Sequence, residues 1–205
     1  MKYALDINSE EIRFIDQVHR GLACNCKCAE CGELLEAAQG KVNDWHFRHS
    51  NNKNCKGAQE TLIHKLAKQI LFEGRDINLP KGRQAYLNPV LEKDFGAITP
   101  DVTSYIGDRL FFIEVRVTHP LEQKNEDIYI SGNHNCVEID LCTISREISP
   151  ETLKEIVVDF AENKRIVSWE RLVTPKTTVS PLGILLAIVG VSTLIISFLR
   201  KRGKW

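Results

Sequence analysis

Neither sign of charge predominates in this 205-residue sequence, in which 27 Lys and Arg stand against 27 Asp and Glu. Four of the basic residues, Arg200, Lys201, Arg202 and Lys204, crowd into the last six positions, leaving 23 basic side chains to 27 acidic over residues 1–199. A mildly acidic body excludes a protein that coats nucleic acid through bulk charge. It leaves room for a local basic face, because residues 41–83 hold nine Lys or Arg to four Asp or Glu. An internal repeat and a low-complexity tract are both missing, which excludes a solenoid. The opening MKYALDINSEEIRF has acidic residues where a secretory signal needs an apolar core. Large aliphatic side chains are scarce in residues 24–56, a stretch rich in Cys, His, Asn and Gly. Such a composition builds no core without help from a metal.

With 43% hydrophobic and 26% charged residues, the chain is globular, and its length allows one substantial core or one core with a small satellite. Residues 1–23 read as a short strand, a turn at Asn8-Ser9 and a second extended run ending at Gly21, with helix as the alternative. Over Gln59–Phe72 the residues Leu62, Ile63, Leu66, Ala67, Ile70 and Leu71 recur at helical spacing, and Gly74 ends the helix. Residues 84–91, 98–106 and 110–117 read as strands and LEQKNEDIYISG as a short helix. NCVEIDL follows as a strand. SPETLKEIVVDFAENKR reads as a helix with Ser149 as N-cap and Pro150 at its first position. That order is an α/β domain. Its expected limits are an N-terminal metal-binding module over 1–57, the α/β domain over 58–173 and a linker, TPKTTVSP, over 174–181.

LGILLAIVGVSTLIISFL, residues 182–199, carries no charge and as a helix would span about 27 Å, close to the roughly 30 Å of a bilayer's hydrocarbon. The basic tail RKRGKW (200–205) suits headgroups, with Trp205 as an interfacial aromatic. We read a single-pass C-terminal anchor, a buried core helix being the alternative.

Five of the seven cysteines lie between Cys24 and Cys55 among histidines, a clustering that points to a metal, not to disulfides. Cys28-x-x-Cys31 sets two thiolates on one turn, and a second pair from a distant segment closes a tetrahedral site. Cys24, Cys26 and His46 are further candidates. In an extended WHFRH, His46 and His49 point to opposite faces. We therefore expect Cys28, Cys31, His49 and Cys55 to hold a structural zinc whose filled shell has no place for substrate.

The segment ITPDVTSYIGDRLFFIEVRVTHP (98–120) is two strands joined by a Gly-Asp turn. Strand alternation sends Phe111, Ile113, Val115 and Val117 to one core and Phe112, Glu114 and Arg116 to the other face. Asp101 meets Glu114 across the hairpin, with Glu60 or His64 approaching from the preceding helix. Gathered carboxylates repel unless a cation sits between them, and magnesium or manganese suits such oxygens. The alternative is a plain cross-strand ion pair between Arg116 and a carboxylate.

GLACNCKCAECGELL, WHFRH, Cys55, ETLIHKLAKQIL, TPDV and FFIEVRVTHPLEQK occur in the order seen in the competence protein CoiA-like family, and the second half resembles the PD-(D/E)XK nuclease superfamily. The resemblance covers roughly residues 15–142. It implies a restriction-endonuclease-like core behind a small zinc-ribbon-like module, and magnesium- or manganese-dependent cleavage of DNA that is taken up or recombined. The motif's Asp corresponds to Asp101, its second acid to Glu114 and its helix acid to Glu60. Where the motif has lysine this chain has Arg116, which holds a phosphate but hardly releases a proton. Lys124, one turn into the next helix, is the other candidate cation. His119, beside Pro120, either caps a turn or lines the site. The expectation is thus a membrane-tethered deoxyribonuclease. Its rival is a catalytically degenerate, zinc-bearing module that holds nucleic acid or protein at the membrane, which Arg116 and the acidic body favour.

Applied to RKRGK, the positive-inside rule would put the α/β domain outside the cell. The missing signal, the unpaired thiols and the location of DNA place it in the cytoplasm instead. Protease added to intact spheroplasts is then expected to spare residues 1–173; digestion of that domain would reverse the orientation.

Overall fold

The structure, a computed structural model, describes residues 1–51, 55 and 57–169. The linker, the apolar run 182–199 and the basic tail lie outside them. Among the described residues no helix is long and apolar enough to cross a membrane. Met1–Glu170 form one compact unit, a mixed α/β arrangement of two five-stranded sheets, one isolated hairpin and three α-helices.

The first sheet is antiparallel and comprises β1 (Tyr3–Asp6), β2 (Ile12–Phe14), β3 (Gly21–Lys27), β4 (Leu34–Ala38) and β5 (His46–His49), in the order β2-β1-β3-β4-β5. Its core consists chiefly of small residues and one aromatic: Ala4, Cys24, Cys26, Leu35, Ala37 and Phe47 are all buried. Cysteines at alternate positions of β3 face inward together, so Cys24 and Cys26 act as compact hydrophobes. Each thiol donates to a carbonyl, Cys24 Sγ to Leu35 O at 3.2 Å and Cys26 Sγ to Cys24 O at 3.1 Å.

Helix α1 (Ala58–Glu73) ends at Gly74, as its spacing predicts. The expected strand 84–91 is broken in two. Hairpin β6 (Asp76–Leu79) and β7 (Gly82–Ala85) pair only with each other, and β8 (Leu87–Leu91) joins the second sheet. Tyr86 causes the break: it is buried, with its N–H on Arg75 O at 2.8 Å and its hydroxyl on Leu71 O at 2.6 Å. A residue so anchored turns the chain from one sheet into the other.

The second sheet runs β12-β11-β10-β9-β8, with β9 (Val102–Ile106), β10 (Arg109–Arg116), β11 (Asn135–Asp140) and β12 (Lys164–Ser168). All neighbours are antiparallel except β10 and β11, which helix α2 (Gln123–Ser131) connects in parallel. Helix α3 (Pro150–Val158) starts as expected, Ser149 Oγ accepting from Thr152 N at 3.2 Å. It stops earlier than expected, and Lys164–Ser168 is a strand. The Lys164 ammonium turns back to donate to the carbonyls of Ile156 and Phe160, closing the helix end with charge of the favourable sign.

The alternation along β10 divides the interior. Phe111, Ile113, Val115 and Val117 pack with Leu62, Ile63 and Leu71 of α1 and Leu153 and Val157 of α3. Phe112 goes to the opposite face, against Tyr129 of α2, Cys136 and Ile98. Helices thus cover both faces of the sheet. Strand β1 joins the two halves of the unit: Ala4 enters the small core of the first sheet while Tyr3 and Leu5 enter the large core. Buried Gln59 fixes that junction, its Oε1 accepting from Lys2 N (2.9 Å) and Tyr3 N (3.2 Å) and its Nε2 donating to Tyr3 O (3.0 Å).

Gln59→Leu keeps the volume and orphans those backbone groups, so it should cost about 3 kcal/mol. Loss of the Ser149 cap in Ser149→Ala should cost about 1 kcal/mol. Urea denaturation of both variants checks the order, and equal losses would mean that Gln59 is no joint.

Candidate functional site

Cys28, Cys31, His49 and Cys55 converge, with one donor atom from each lying within 4.8 Å of the others. Cys28 follows β3, Cys31 lies in the turn after it, His49 ends β5 and Cys55 precedes α1. The knuckle closes through Gly32 N to Cys28 O and Cys28 N to Glu33 O, both 2.9 Å. Gly32 has φ +71°, a left-handed turn that glycine adopts without strain. His49 Nε2 lies 3.3 Å from Cys31 Sγ. A hydrogen bond from the Glu33 backbone, with His49, Cys55 and Cys28 adding to it, brings the Cys31 thiol down to about 7. Burial, with the Cys31 and Cys28 thiols adding to it, pushes Cys55 up to about 12. Three soft thiolates and one imidazole in a closed set are the donors of a structural zinc, and the cluster can bind such a metal. Cys24 and Cys26 lie apart from it. So does His46, whose Nδ1 faces Asp44 O at 2.8 Å.

The carboxylates of the second sheet stand differently. The ladder between β9 and β10 ends at the Val102–Ile113 pair, so the expected strand 98–106 starts four residues late. Pro100 has no N–H to extend it, and the Asp101 side chain takes over, its Oδ2 accepting from Val115 N at 2.9 Å. Asp101 N approaches Glu114 Oε2 at 3.4 Å, placing the two acids side by side at the hairpin's open end. Their carboxyl groups then diverge. Asp101 meets α1, with His64 Nε2 at 3.0 Å from Oδ2 and Lys68 Nζ at 3.5 Å from Oδ1. Lys68, only 6% exposed, also holds Glu92 Oε1 at 2.5 Å. Glu114 faces α2, where the Tyr129 hydroxyl donates to Oε1 at 2.5 Å.

Burial alone would raise the Asp101 carboxyl, but the hydrogen bond and charge of His64, the Val115 N–H and the Lys68 ammonium outweigh it and hold it below the ordinary aspartate range. Glu114 goes the other way. Burial first, then the charges of Asp101 and Glu138, push it up to about 7 against the Tyr129 hydrogen bond.

Arg116 does not join this pair. It stands opposite Asp140 in the parallel register and binds it at 3.1 Å, the cross-strand ion pair that was the alternative reading. Lys124 is exposed on α2. Glu60 accepts from Thr118 Oγ1 at 3.1 Å and lies 3.7 Å from Arg146. With His64, Thr118 and His119 it lines a cleft of about 330 Å³ between the start of α1 and the end of β10. Lys68 and Glu92 line a separate groove of about 520 Å³ beside the β1–β2 turn, so the two α1 partners of Asp101, His64 and Lys68, stand on different clefts. Sequence reasoning passed over Lys68, although Glu60, His64 and Lys68 recur every fourth residue along one stripe of α1. It also passed over Tyr129 and Glu138, whose roles depend on α2 and β11 packing beside β10. Set against protein-family models, curated proteins and solved structures, the chain matches none.

Elemental analysis of the purified chain should find about one zinc. Cys31→Ser and His49→Ala should lose it, whereas Cys24→Ser, at a buried thiol outside the cluster, should keep it. Retention in Cys31→Ser, or equal loss in Cys24→Ser, would refute the ligand set.

Proposed function

We propose that the chain is a metal-dependent DNA nuclease of the PD-(D/E)XK kind, with a zinc-ribbon-like module fused to its nuclease core and residues 182–199 tethering it to a membrane. The observation that carries this reading is the pairing of Asp101 and Glu114 at the open end of the β9–β10 hairpin, beneath the Glu60–His64–Lys68 stripe of α1. Two carboxylates suit magnesium or manganese, which keep several waters and take one or two protein carboxylates together with substrate phosphates. Bound there, the ion would polarise a phosphoryl oxygen and make hydroxide available near neutral pH. No other acid belongs to the pair, since Glu60 is engaged by Thr118 and Arg146.

The protein's own groups have distinct tasks in this reading. His64 and the Val115 N–H hold Asp101 in place, and Tyr129 holds Glu114. The cation that the motif expects two residues after Glu114 is Arg116, committed to Asp140. Lys68 is the ammonium that reaches Asp101, and it takes over the task of neutralising charge beside the carboxylates. Glu60 and His119 line, with His64, the cleft next to the pair that we assign to the phosphodiester. The pairing of Arg116 also favours a second reading, a degenerate relative that binds nucleic acid without cutting it.

Labelled single- and double-stranded DNA should be cleaved with manganese and left intact without a divalent ion. Asp101→Asn and Glu114→Gln should each lower the rate by roughly a hundredfold or more, with zinc content unchanged. Lys68→Ala should be similarly damaging and Lys68→Arg partly active. Arg116→Ala should cut nearly as well as wild type while unfolding more easily. A wild-type chain that binds DNA but cuts none with either metal at any pH establishes the second reading, and a Glu114→Gln variant of full activity removes the carboxylate pair from catalysis.

A further inference from the structure

WHFRH contributes one histidine to the metal cluster, and the basic residues near it have no part in the carboxylate site. They gather on the outside of the β4–β5 hairpin, around a groove of about 260 Å³ lined by Arg20, Gln39, Lys41, Asn43, His46 and Arg48, with Glu36 the one carboxylate on its walls. Glu36 is engaged by Arg48, whose Nε and one terminal nitrogen reach Oε2 at 3.2 and 3.0 Å. Arg20 and Lys41 are exposed and have no hydrogen bond or ion pair among the described residues. His46 keeps Nε2 clear because Nδ1 faces Asp44 O.

An aromatic outside that lining is tied to it through Gly40, one of the groove's residues. Trp45 is 45% exposed, its indole tied by Nε1 to Gly40 O at 3.1 Å and its own carbonyl bound by Lys2 Nζ at 2.7 Å. The ring is thus held at the surface by its edge, with ring area left to solvent. Cations in a groove follow a phosphate backbone, and an adjacent aromatic face takes an unpaired base by stacking. An acidic peptide would use the cations and leave the indole idle.

We infer that the outer face of the β4–β5 hairpin is a single-stranded DNA contact, with Arg20 and Lys41 on phosphates and Trp45 under a base. The contact is separate from the Asp101–Glu114 site and does not depend on cleavage there. It stands on a body that is otherwise mildly acidic.

Fluorescence anisotropy of a labelled single-stranded oligonucleotide with the full chain, in buffer without added divalent ions, tests this. Trp45→Ala should weaken binding about tenfold and Trp45→Phe much less. Arg20→Ala with Lys41→Ala should flatten the dependence of log affinity on log salt by about 1.4 units, two phosphate contacts on a single strand. None of these residues holds the metal, so unchanged zinc content certifies the fold. An unchanged salt slope in the double variant overturns the proposal. So does Trp45→Ala binding at full affinity while the double variant loses polyglutamate as strongly as DNA, for the groove then takes any polyanion. If the wild-type chain cuts no DNA while the groove variants still lose affinity, the nuclease reading falls and this contact stands.

Discussion

The position at which helix α1 begins governs the rest of the molecule. Cys55 belongs to the metal cluster, Ala58 is buried in the core of the first sheet, and Gln59 clips the backbone of β1. These demands fall within five consecutive positions, so the helix can neither slide nor rotate without breaking one of them. A helix fixed at its first turn carries its later residues to set places at 100° per residue. Glu60 then opens on the cleft, His64 reaches Asp101, and Lys68 lies between Asp101 and Glu92. A metal in the cysteine cluster would therefore act on the carboxylate site at a distance, by holding the helix that supplies its cations. The small module is a mechanical part of the larger one.

The second constraint is the burial of like charges. Glu114 and Glu138 stand directly opposite each other on adjacent strands, and both are largely shielded from water. Two apolar residues would fill that space at less cost. The chain relieves Glu138 with Leu121 N at 2.7 Å and Arg165 at 3.0 Å. Among the described residues Glu114 receives the Tyr129 hydroxyl and the more distant Asp101 N–H, and against them burial, then the charges of Asp101 and Glu138, push its carboxyl up to about 7. A strand that tolerates such a group beside Asp101 gives up stability there, and an acid so perturbed marks a candidate site.

Much of this was legible in the sequence because it rests on periods. Alternation along β10 separated Phe111, Ile113 and Val115 from Phe112 and Glu114, and the helical repeat gave α1 to within a residue or two of its ends. The cysteine cluster was legible from ligand chemistry and from the opposed faces of His46 and His49. What escaped was set by partners distant in the chain. The expected helix ran on to Arg165, and Lys164 and Arg165 instead enter a strand because β11 offers them an edge. Tyr86 breaks a strand only because Leu71 and Arg75 are there to receive it. The choice of Lys68 over Arg116 as the cation near Asp101 depends on Asp140, which stands beside Arg116 only once β10 and β11 pair in parallel.

Asp101 shows how local and distant requirements meet at one residue. A strand that continued through residues 98–101 would use its own carbonyls to receive the N–H of Val115, and the hairpin would be a closed ladder with no site at its end. Pro100 interrupts that ladder. The aspartate side chain then accepts the bond that the backbone has forgone, at 2.9 Å. Since one carboxylate oxygen takes that N–H together with His64 while the other faces Lys68, the side chain closes the sheet and the site at once. An amide there could still accept from Val115, but it would bring no charge to His64 and Lys68. The backbone therefore needs only an oxygen at this position, and it is the helix opposite that requires the oxygen to be charged.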